Sequence, residues 1–236
     1  MNRAPDPLAV HYLSGAAMRS RGVAAAALTA TLDVPPAPGR AAADWEREIA
    51  TRLCLEPGDV EQMPLARTRA RWPGFGRCLD AMRGWTGALG LAAALDEADM
   101  ALMACRGARF HHDAGQYGDA VFCNLFLSED KGLDVVFPGS GQRIALARGT
   151  AMIFDTAQPH AVVPRGRDRF RESDFAGGAD LSQLFLTWEL PVEAPGVAQA
   201  LGIVFDVDAP QDEEQVRRGG ARVEVDPASG RWRAPA

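Results

Sequence analysis

The chain has 236 residues, of which 47% are hydrophobic and 24% are charged, and its formal net charge is −6 at pH 7. This composition can bury a large core and excludes a globally disordered chain. The negative charge argues against generic binding to nucleic acids or anionic membranes, which attract proteins with positive surfaces.

Residues 1–98 are predicted to form a mostly helical segment that supports the rest of the fold. Apolar residues recur at helical spacing over residues 41–55, and a Pro-Gly pair ends this helix. A second helix is predicted over residues 76–95, where three glycines interrupt the pattern. The stretch before these helices, residues 24–34, fits either a helix or a strand.

Residues 99–191 differ in character and are predicted to form an antiparallel β-sandwich. Short apolar runs alternate with turns rich in Gly, Pro, Asp and Ser at intervals of about 8–12 residues. Two stacked sheets that close on themselves would leave a tapered interior able to hold a small ligand. The predicted strands are residues 100–105, 120–127, 133–137, 143–146, 150–154, 160–163 and 181–190.

Residues 192–236 are predicted to form a C-terminal arm. It contains a short apolar run, an acidic stretch over residues 206–214, and a hairpin in which residues 222–225 and 231–233 flank the turn DPASG. The fold class expected for the whole chain is therefore mainly β, with N-terminal helices.

The cysteines and the N-terminus indicate a reducing compartment. Four cysteines are spread along the chain without a C-x-x-C pair, as is typical of small buried residues with free thiols. The N-terminal residues lack the long apolar stretch of a signal peptide. No window approaches the ~18 consecutive apolar residues of a membrane span. A cytoplasmic protein is expected, with neither a membrane nor a nucleic acid among its partners.

Three of the four histidines lie in the predicted sandwich, and two of these directly precede Asp113. Alternate side chains share one face of a strand, so His111 and Asp113 should point together while His112 points away. His160 begins a later strand and is free to approach from a neighbouring position. Two imidazoles and one carboxylate on one face of an octahedral ion leave open positions, as in non-heme Fe(II) oxygenases.

Simpler roles for these residues must be weighed, because an H-x-D tripeptide alone is weak evidence. His111 could cap a strand, and Asp113 could serve the turn that begins there. The strand and turn pattern that follows, with a single distal His160, favours the metal site. His11 stands far from the others in sequence and is expected to be structural or exposed.

The run FHHD…VFCNLFLSED-KGLDVVFP…GQRIALARGTAMIFD…PHAVVP resembles the 2-oxoglutarate and Fe(II)-dependent dioxygenases. The resemblance covers about residues 99–190. It implies a double-stranded β-helix, or jelly roll, with His111, Asp113 and His160 as iron ligands and as the catalytic centre. It also implies Fe(II) as cofactor, 2-oxoglutarate and molecular oxygen as cosubstrates, and hydroxylation of a small-molecule or peptide substrate.

The family also has an Arg or Lys roughly ten positions after the distal histidine, which binds the far carboxylate of 2-oxoglutarate. Arg169 lies nine residues after His160 and precedes an aromatic residue, and Arg171 is the second candidate. Arg165, Arg167, Arg169 and Arg171 alternate along the chain, so an extended segment would place them on one face. They could all lie on a solvated edge. Because the segment is expected to turn after Pro164, one arginine can instead fold inward while the others stay in water, and we predict that Arg169 is the one that faces the pocket.

The chain departs from the family pattern after these arginines. Residues 172–180 intervene before the last strand of the sandwich, which begins with Ser182 and Gln183 where the family has a basic residue. Two alternatives therefore stay open. One is a metal-dependent jelly-roll oxygenase that does not use 2-oxoglutarate, and the other is a non-catalytic jelly-roll binding module.

Overall fold

The computed structural model describes residues 8–177 and 180–235, which fold mainly into antiparallel β-sheets with few helices. The strands are β1 (Leu8–Ser14), β2 (Ala17–Gly22), β3 (Leu28–Thr31), β4 (Val60–Met63), β5 (Met100–Cys105), β6 (Ala108–His111), β7 (Ala120–Phe126), β8 (Leu133–Phe137), β9 (Gln142–Ala145), β10 (Thr150–Asp155), β11 (His160–Pro164), β12 (Gln183–Pro191), β13 (Gln215–Arg218), β14 (Ala221–Arg222), β15 (Glu224–Val225) and β16 (Trp232–Arg233). The α-helices are α1 (Gly39–Glu48), α2 (Leu65–Arg71), α3 (Phe75–Ala88), α4 (Ala92–Glu97), α5 (Ala114–Tyr117) and α6 (Val197–Leu201).

Two sheets form the centre of the molecule. The six-stranded sheet has the order β3-β10-β7-β12-β5-β4, and the four-stranded sheet has the order β6-β11-β8-β9. Their inner faces pack together through aromatic side chains: the rings of Phe137 and Phe154, one from each sheet, have centroids 5.3 Å apart. Each of these strands was predicted from short apolar runs bounded by turn residues, except β3, β4 and β6, which are short and lie at the edges of the sheets.

The helices of the N-terminal segment cover the outer face of the six-stranded sheet. Trp45 of α1 and Met82 of α3 belong to one buried cluster with Leu125 and Leu186 of the sheet. The helix predicted over residues 76–95 is divided into α3 and α4, because Gly90 adopts a positive φ of 76° that ends the first of them. In the described part of the chain, no helix has both the length and the apolar composition that a bilayer crossing requires.

A second four-stranded sheet, with the order β14-β13-β1-β2, was not predicted. Strands β1 and β2 of this sheet form an N-terminal hairpin, in a segment where only helices and one ambiguous stretch were expected. Strand β1 has four consecutive buried residues and β2 is rich in polar residues, so neither alternates regularly. β1 and β2 pair with each other across the turn at Gly15, and β1 also pairs with β13, far away in sequence, a non-local pairing that has no local signal.

The C-terminal arm runs back over the molecule. Strands β15 and β16 form the predicted hairpin with shorter strands, and the backbone N–H of Phe110 donates to the carbonyl of Pro227 in its turn at 3.2 Å. All four cysteines are unpaired, and three of them are buried.

His11 was expected to be structural or exposed; it lies on β1 and is fully buried, which excludes the exposed alternative. Its Nε2 lies 3.4 Å from Oδ2 of Asp208. Burial lowers the pKa of His11 and Arg217 adds to this effect, while Asp208 opposes it. The folded protein therefore holds the imidazole neutral at pH values where the unfolded chain, with a pKa near 6.5, is already protonated.

We therefore expect His11 to destabilise the protein as the pH falls below about 6.5. The unfolding free energy of wild type should decrease more steeply between pH 7 and 5.5 than that of His11→Gln, by at most about 1.4 kcal/mol per pH unit. Urea denaturation at several pH values measures both slopes. Parallel curves for the two proteins would contradict this expectation.

Candidate metal centre

Three potential metal ligands meet where β6 ends and β11 begins. The two strands are antiparallel neighbours, and His160 is the register partner of His111. Asp113 follows two residues after His111, at the start of the short helix α5. One ligand atom from each of the three side chains lies within 4.8 Å of the other two. The carboxylate of Asp113 bridges the pair, with Oδ1 3.6 Å from Nε2 of His111 and Oδ2 3.6 Å from Nε2 of His160.

His112 points away from this cluster, as alternation along the strand predicts. Its ring lies 5.3 Å, centroid to centroid, from the ring of Trp232 in the C-terminal hairpin. Its Nδ1 accepts a hydrogen bond from the backbone N–H of Ala114 at 3.3 Å. The side chain therefore packs against the arm.

The backbone fixes the orientation of both imidazoles in the cluster. Nδ1 of His111 lies 2.6 Å from the carbonyl oxygen of Arg109, and Nδ1 of His160 lies 3.0 Å from that of Gln158. A carbonyl oxygen can only accept, so each Nδ1 carries a proton, and in the neutral imidazole Nε2 is then the nitrogen with the free lone pair. A hydrogen bond from the ring nitrogen that does not bind the metal is the usual way in which a metal-binding histidine is oriented.

The electrostatic environment suits a cation. Burial lowers the pKa of His160 to about 3, and the neighbouring His111 contributes to the shift. Burial also raises the pKa of Asp113, although the two adjacent histidines oppose it. Neutral imidazoles are the form that binds metals, and a bound cation would stabilise the Asp113 carboxylate against its loss of solvation. The donor set therefore fits a divalent metal ion.

One side of the cluster is apolar and the other is open. The ring of His160 lies 4.9 Å from that of Phe154 and 6.0 Å from that of Phe137, centroid to centroid. On the open side, the side chains of His111 and Asp113 retain 38% and 23% of their accessible surface. A ligand can thus approach a bound ion from solvent while the aromatic rings shield its other side.

Backbone contacts hold the segments of the ligands together, and sequence reasoning missed them. The N–H of Asp113 donates to the carbonyl oxygen of Thr156 at 2.7 Å. The hydroxyl oxygen of Thr156 lies 2.6 Å from the carbonyl oxygen of Tyr117 and 2.9 Å from that of Ala120, so its single proton is donated to one of them or shared between them. Thr156 had no recognisable signal in the sequence beyond its place in the turn before His160.

The arginines expected to anchor a carboxylate lie in solvent. Arg169 and Arg171 are both exposed, in the loop that follows β11. Arg165 pairs instead with Asp130 and Asp134. The loop is not extended, because Gly166 adopts a positive φ of 82° in a turn, so the four arginines do not share a face.

The space between the two central sheets has no buried cationic group among the residues that the structure describes. Arg21 is the one buried Arg or Lys of the described ranges, and it pairs with Asp155. The polar residues facing inward include Asn124 and Gln183, which alternate with inward-facing phenylalanines. Oδ1 of Asn124 and both polar side-chain atoms of Gln183 have no hydrogen-bond partner.

A cavity of about 1060 Å³ lies away from the three ligands. It opens between the first helices and the start of β12, with Trp45, Ile49, Leu127 and Leu184 in its lining. None of His111, Asp113 and His160 contributes to it.

Comparisons with known proteins identify no relative by sequence: no family model matches the chain, and no curated protein matches it. Two structures of a viral collagen prolyl hydroxylase from Paramecium bursaria Chlorella virus-1 are similar, one as a 2-oxoglutarate complex and one truncated. Each is 11% identical with a TM-score of 0.41, and they cover 69% and 70% of this chain and 94% and 89% of their own. Hazelnut (Corylus avellana) vicilin is 15% identical with a TM-score of 0.25, over 47% of this chain and 27% of its own.

Proposed function

We propose that this chain is a non-heme Fe(II) oxygenase that hydroxylates an unactivated C–H bond of a small-molecule or peptide substrate. The observation that carries the proposal is the meeting of donor atoms from His111, Asp113 and His160 within 4.8 Å of one another. Two imidazoles and one carboxylate leave coordination positions for other ligands. A structural zinc site would instead close its coordination sphere with protein side chains.

The chain's own residues would orient the ligands and exclude water. Bound iron would supply the activation of molecular oxygen. His111 and His160 present Nε2 because their Nδ1 atoms donate to backbone carbonyls. Asp113 brings the negative charge that partly neutralises the ion. Phe137 and Phe154 keep water from one side of the centre, which favours reaction with a substrate over release of reactive species.

We further propose that the two central sheets form a double-stranded β-helix over about residues 99–191, with residues 1–98 as support and 192–236 as an arm. The antiparallel strand orders of the two sheets support this assignment. So does the location of His111 and His160 on neighbouring strands of one sheet.

We propose 2-oxoglutarate as the cosubstrate, bound through two of the open positions. Its distal carboxylate would need a cationic partner, since a carboxylate held in a dry site is stabilised best by a guanidinium group. Arg169 and Arg171 are the candidates by spacing. Both are exposed, so the loop that carries them would have to fold inward when the cosubstrate binds.

An iron oxygenase that needs no 2-oxoglutarate is the second candidate, and the neutral interior favours it. The inward-facing polar residues Asn124 and Gln183 are uncharged, and the buried cation, Arg21, is already paired. A second carboxylate placed in this interior would lack a partner of opposite charge.

An anaerobic titration tests the proposal. Purified protein loaded with Fe(II) should bind about one ion per chain, as expected for a mononuclear site. Addition of 2-oxoglutarate should then produce a visible charge-transfer band, and admission of oxygen should release succinate. Iron binding without either signal would support the second candidate. A chain that binds no iron would be a non-catalytic binding module.

A further inference from the structure

Arg21 reaches from the N-terminal hairpin into the centre of the protein, where it is fully buried. Its Nη1 donates to Oδ2 of Asp155 at 2.7 Å, and its Nη2 donates to Oδ1 at 2.9 Å. Both side chains of this ion pair are inaccessible to solvent. A buried pair of this kind requires complete hydrogen bonding to offset the loss of solvation. Its remaining contacts therefore indicate what the pair holds in place.

Those contacts join the two segments that carry the ligands. Asp155 ends β10, and the turn that follows it leads to His160. On the other side, Nε of Arg21 donates to the carbonyl oxygen of Gly118 at 2.7 Å. Gly118 follows α5, the helix that Asp113 begins. The guanidinium group of Arg21 thus contacts both the segment that follows Asp113 and the residue that begins the turn to His160.

The turn before His160 is fixed by the same group of residues. Asp155 also accepts from the backbone N–H of Ala24 at 2.7 Å and from that of Ala157 at 2.9 Å. The side-chain amide of Gln158 donates to the carbonyl oxygen of Ala24 at 2.7 Å, and the carbonyl oxygen of Gln158 is the atom that orients His160. The contacts therefore run without a gap from Arg21 to the imidazole.

We propose that Arg21 is a positioning residue of the metal centre, which keeps the segments of Asp113 and His160 in a fixed relation. This inference rests on the proposed metal site. Ligand atoms must be held within about 0.5 Å of a productive arrangement, and residues beyond the ligands provide that rigidity. Losing the fork of hydrogen bonds from Arg21 would let the two segments move independently, so the ligand set would bind a metal ion less tightly.

The test is the dissociation constant of Co(II), followed by its visible absorption, for wild type and Arg21→Lys. Lysine keeps a positive charge beside Asp155, but it cannot make both bonds to the carboxylate and the bond to Gly118. We expect the dissociation constant of Co(II) to rise by roughly 10- to 100-fold. The visible bands of the bound Co(II) should also change, since they report ligand geometry.

Arg143→Lys is the matched control. Arg143 pairs with Asp134 at 3.1 Å and with Asp168 at 2.8 Å, and its guanidinium group donates neither to the turn before His160 nor to the segment from Asp113 to Gly118. The substitution is the same as at Arg21, but it lies outside the contacts that hold the segments of the candidate ligands. The Arg143→Lys protein should therefore bind Co(II) with a dissociation constant within about twofold of wild type. Urea denaturation of the metal-free proteins would show whether Arg21→Lys and the control are folded at the temperature of the titration.

A second variant, Arg21→Met with Asp155→Leu, replaces the buried pair with apolar side chains and removes the same contacts. If one of the two variants does not fold, the folded one gives the result. A folded variant with wild-type affinity and spectrum for Co(II) would overturn the positioning role while leaving the metal centre intact. A wild-type protein that binds no Co(II) would overturn the metal centre and this role together.

Discussion

Replacing His111, Asp113 or His160 with alanine is expected to abolish iron binding at micromolar metal. Changes to residues that merely support a ligand cost about 10- to 100-fold in metal affinity, so loss of a ligand should cost more than 100-fold. The reason is visible in the geometry, because each of the three side chains supplies one of the donor atoms that converge within 4.8 Å. Anaerobic Fe(II) titration of each variant measures the loss.

His112→Ala is the matched control for these variants. His112 neighbours two of the ligands in sequence, but it packs against Trp232 and offers no donor atom to the cluster. Its variant should bind iron with nearly wild-type affinity. An essential His112 together with a dispensable His111 would contradict the assignment of ligands.

The stability of the metal-free variants distinguishes a lost ligand from a lost fold. His160 and Asp113 are polar groups partly or fully removed from water, so alanine there removes a desolvation cost as well as contacts. We therefore expect the unfolding midpoints of the three metal-free variants to stay close to that of wild type. If all three alanine variants unfold, their loss of iron says nothing about the site. The milder variant Asp113→Asn would then be tested in their place.

The core strands and the cluster of three candidate ligands could be predicted because most of their signals are local. Strands such as β7 and β10 show apolar runs bounded by turn residues. His111 and Asp113 are two residues apart, so alternation alone places them together. His160 needed a further step, since only the pairing of β11 with β6 makes it the partner of His111.

The supporting contacts could not be predicted because they join distant parts of the chain. Arg21 and Asp155 are 134 residues apart, and the hairpin that carries Arg21 is joined to the C-terminal part of the chain by pairing of β1 with β13. The loop of arginines shows the opposite outcome. A turn after Pro164 was expected and is present at Arg165 and Gly166, but Arg169, which was predicted to fold inward from it, is exposed.

With 2-oxoglutarate as the cosubstrate, Arg169→Ala is expected to weaken its binding strongly and to leave iron binding unchanged. A charged hydrogen-bonded pair that is removed from water contributes about 2–5 kcal/mol, which corresponds to a loss of affinity between roughly 30-fold and several thousand-fold. The Fe(II)-loaded proteins would be titrated anaerobically with 2-oxoglutarate, and the charge-transfer band would report binding. Arg171→Ala, measured in parallel, tests the second candidate for the anchor.

Arg165→Ala is the control, because Arg165 is paired with Asp130 and Asp134 and lies in the same loop. It should leave the affinity for 2-oxoglutarate within about twofold of wild type, as expected for a residue outside the site. A 2-oxo acid of equal length that lacks the distal carboxylate supplies a further comparison. If Arg169 anchors that carboxylate, wild type should prefer 2-oxoglutarate, and Arg169→Ala should bind both acids equally.

The interior of the sheets makes this result decisive. Arg169 lies in solvent, and the buried polar residues that face inward, among them Asn124 and Gln183, carry no charge. Binding of the dicarboxylate would therefore require the loop to bring a cation inward. The favourable energy of the ion pair would have to exceed the conformational entropy that the loop loses when it becomes ordered. Equal affinity of wild type for both acids, unaffected by Arg169→Ala, would mean that no cation reaches the site. An oxygenase that works without 2-oxoglutarate would then be the better description of this candidate metal centre.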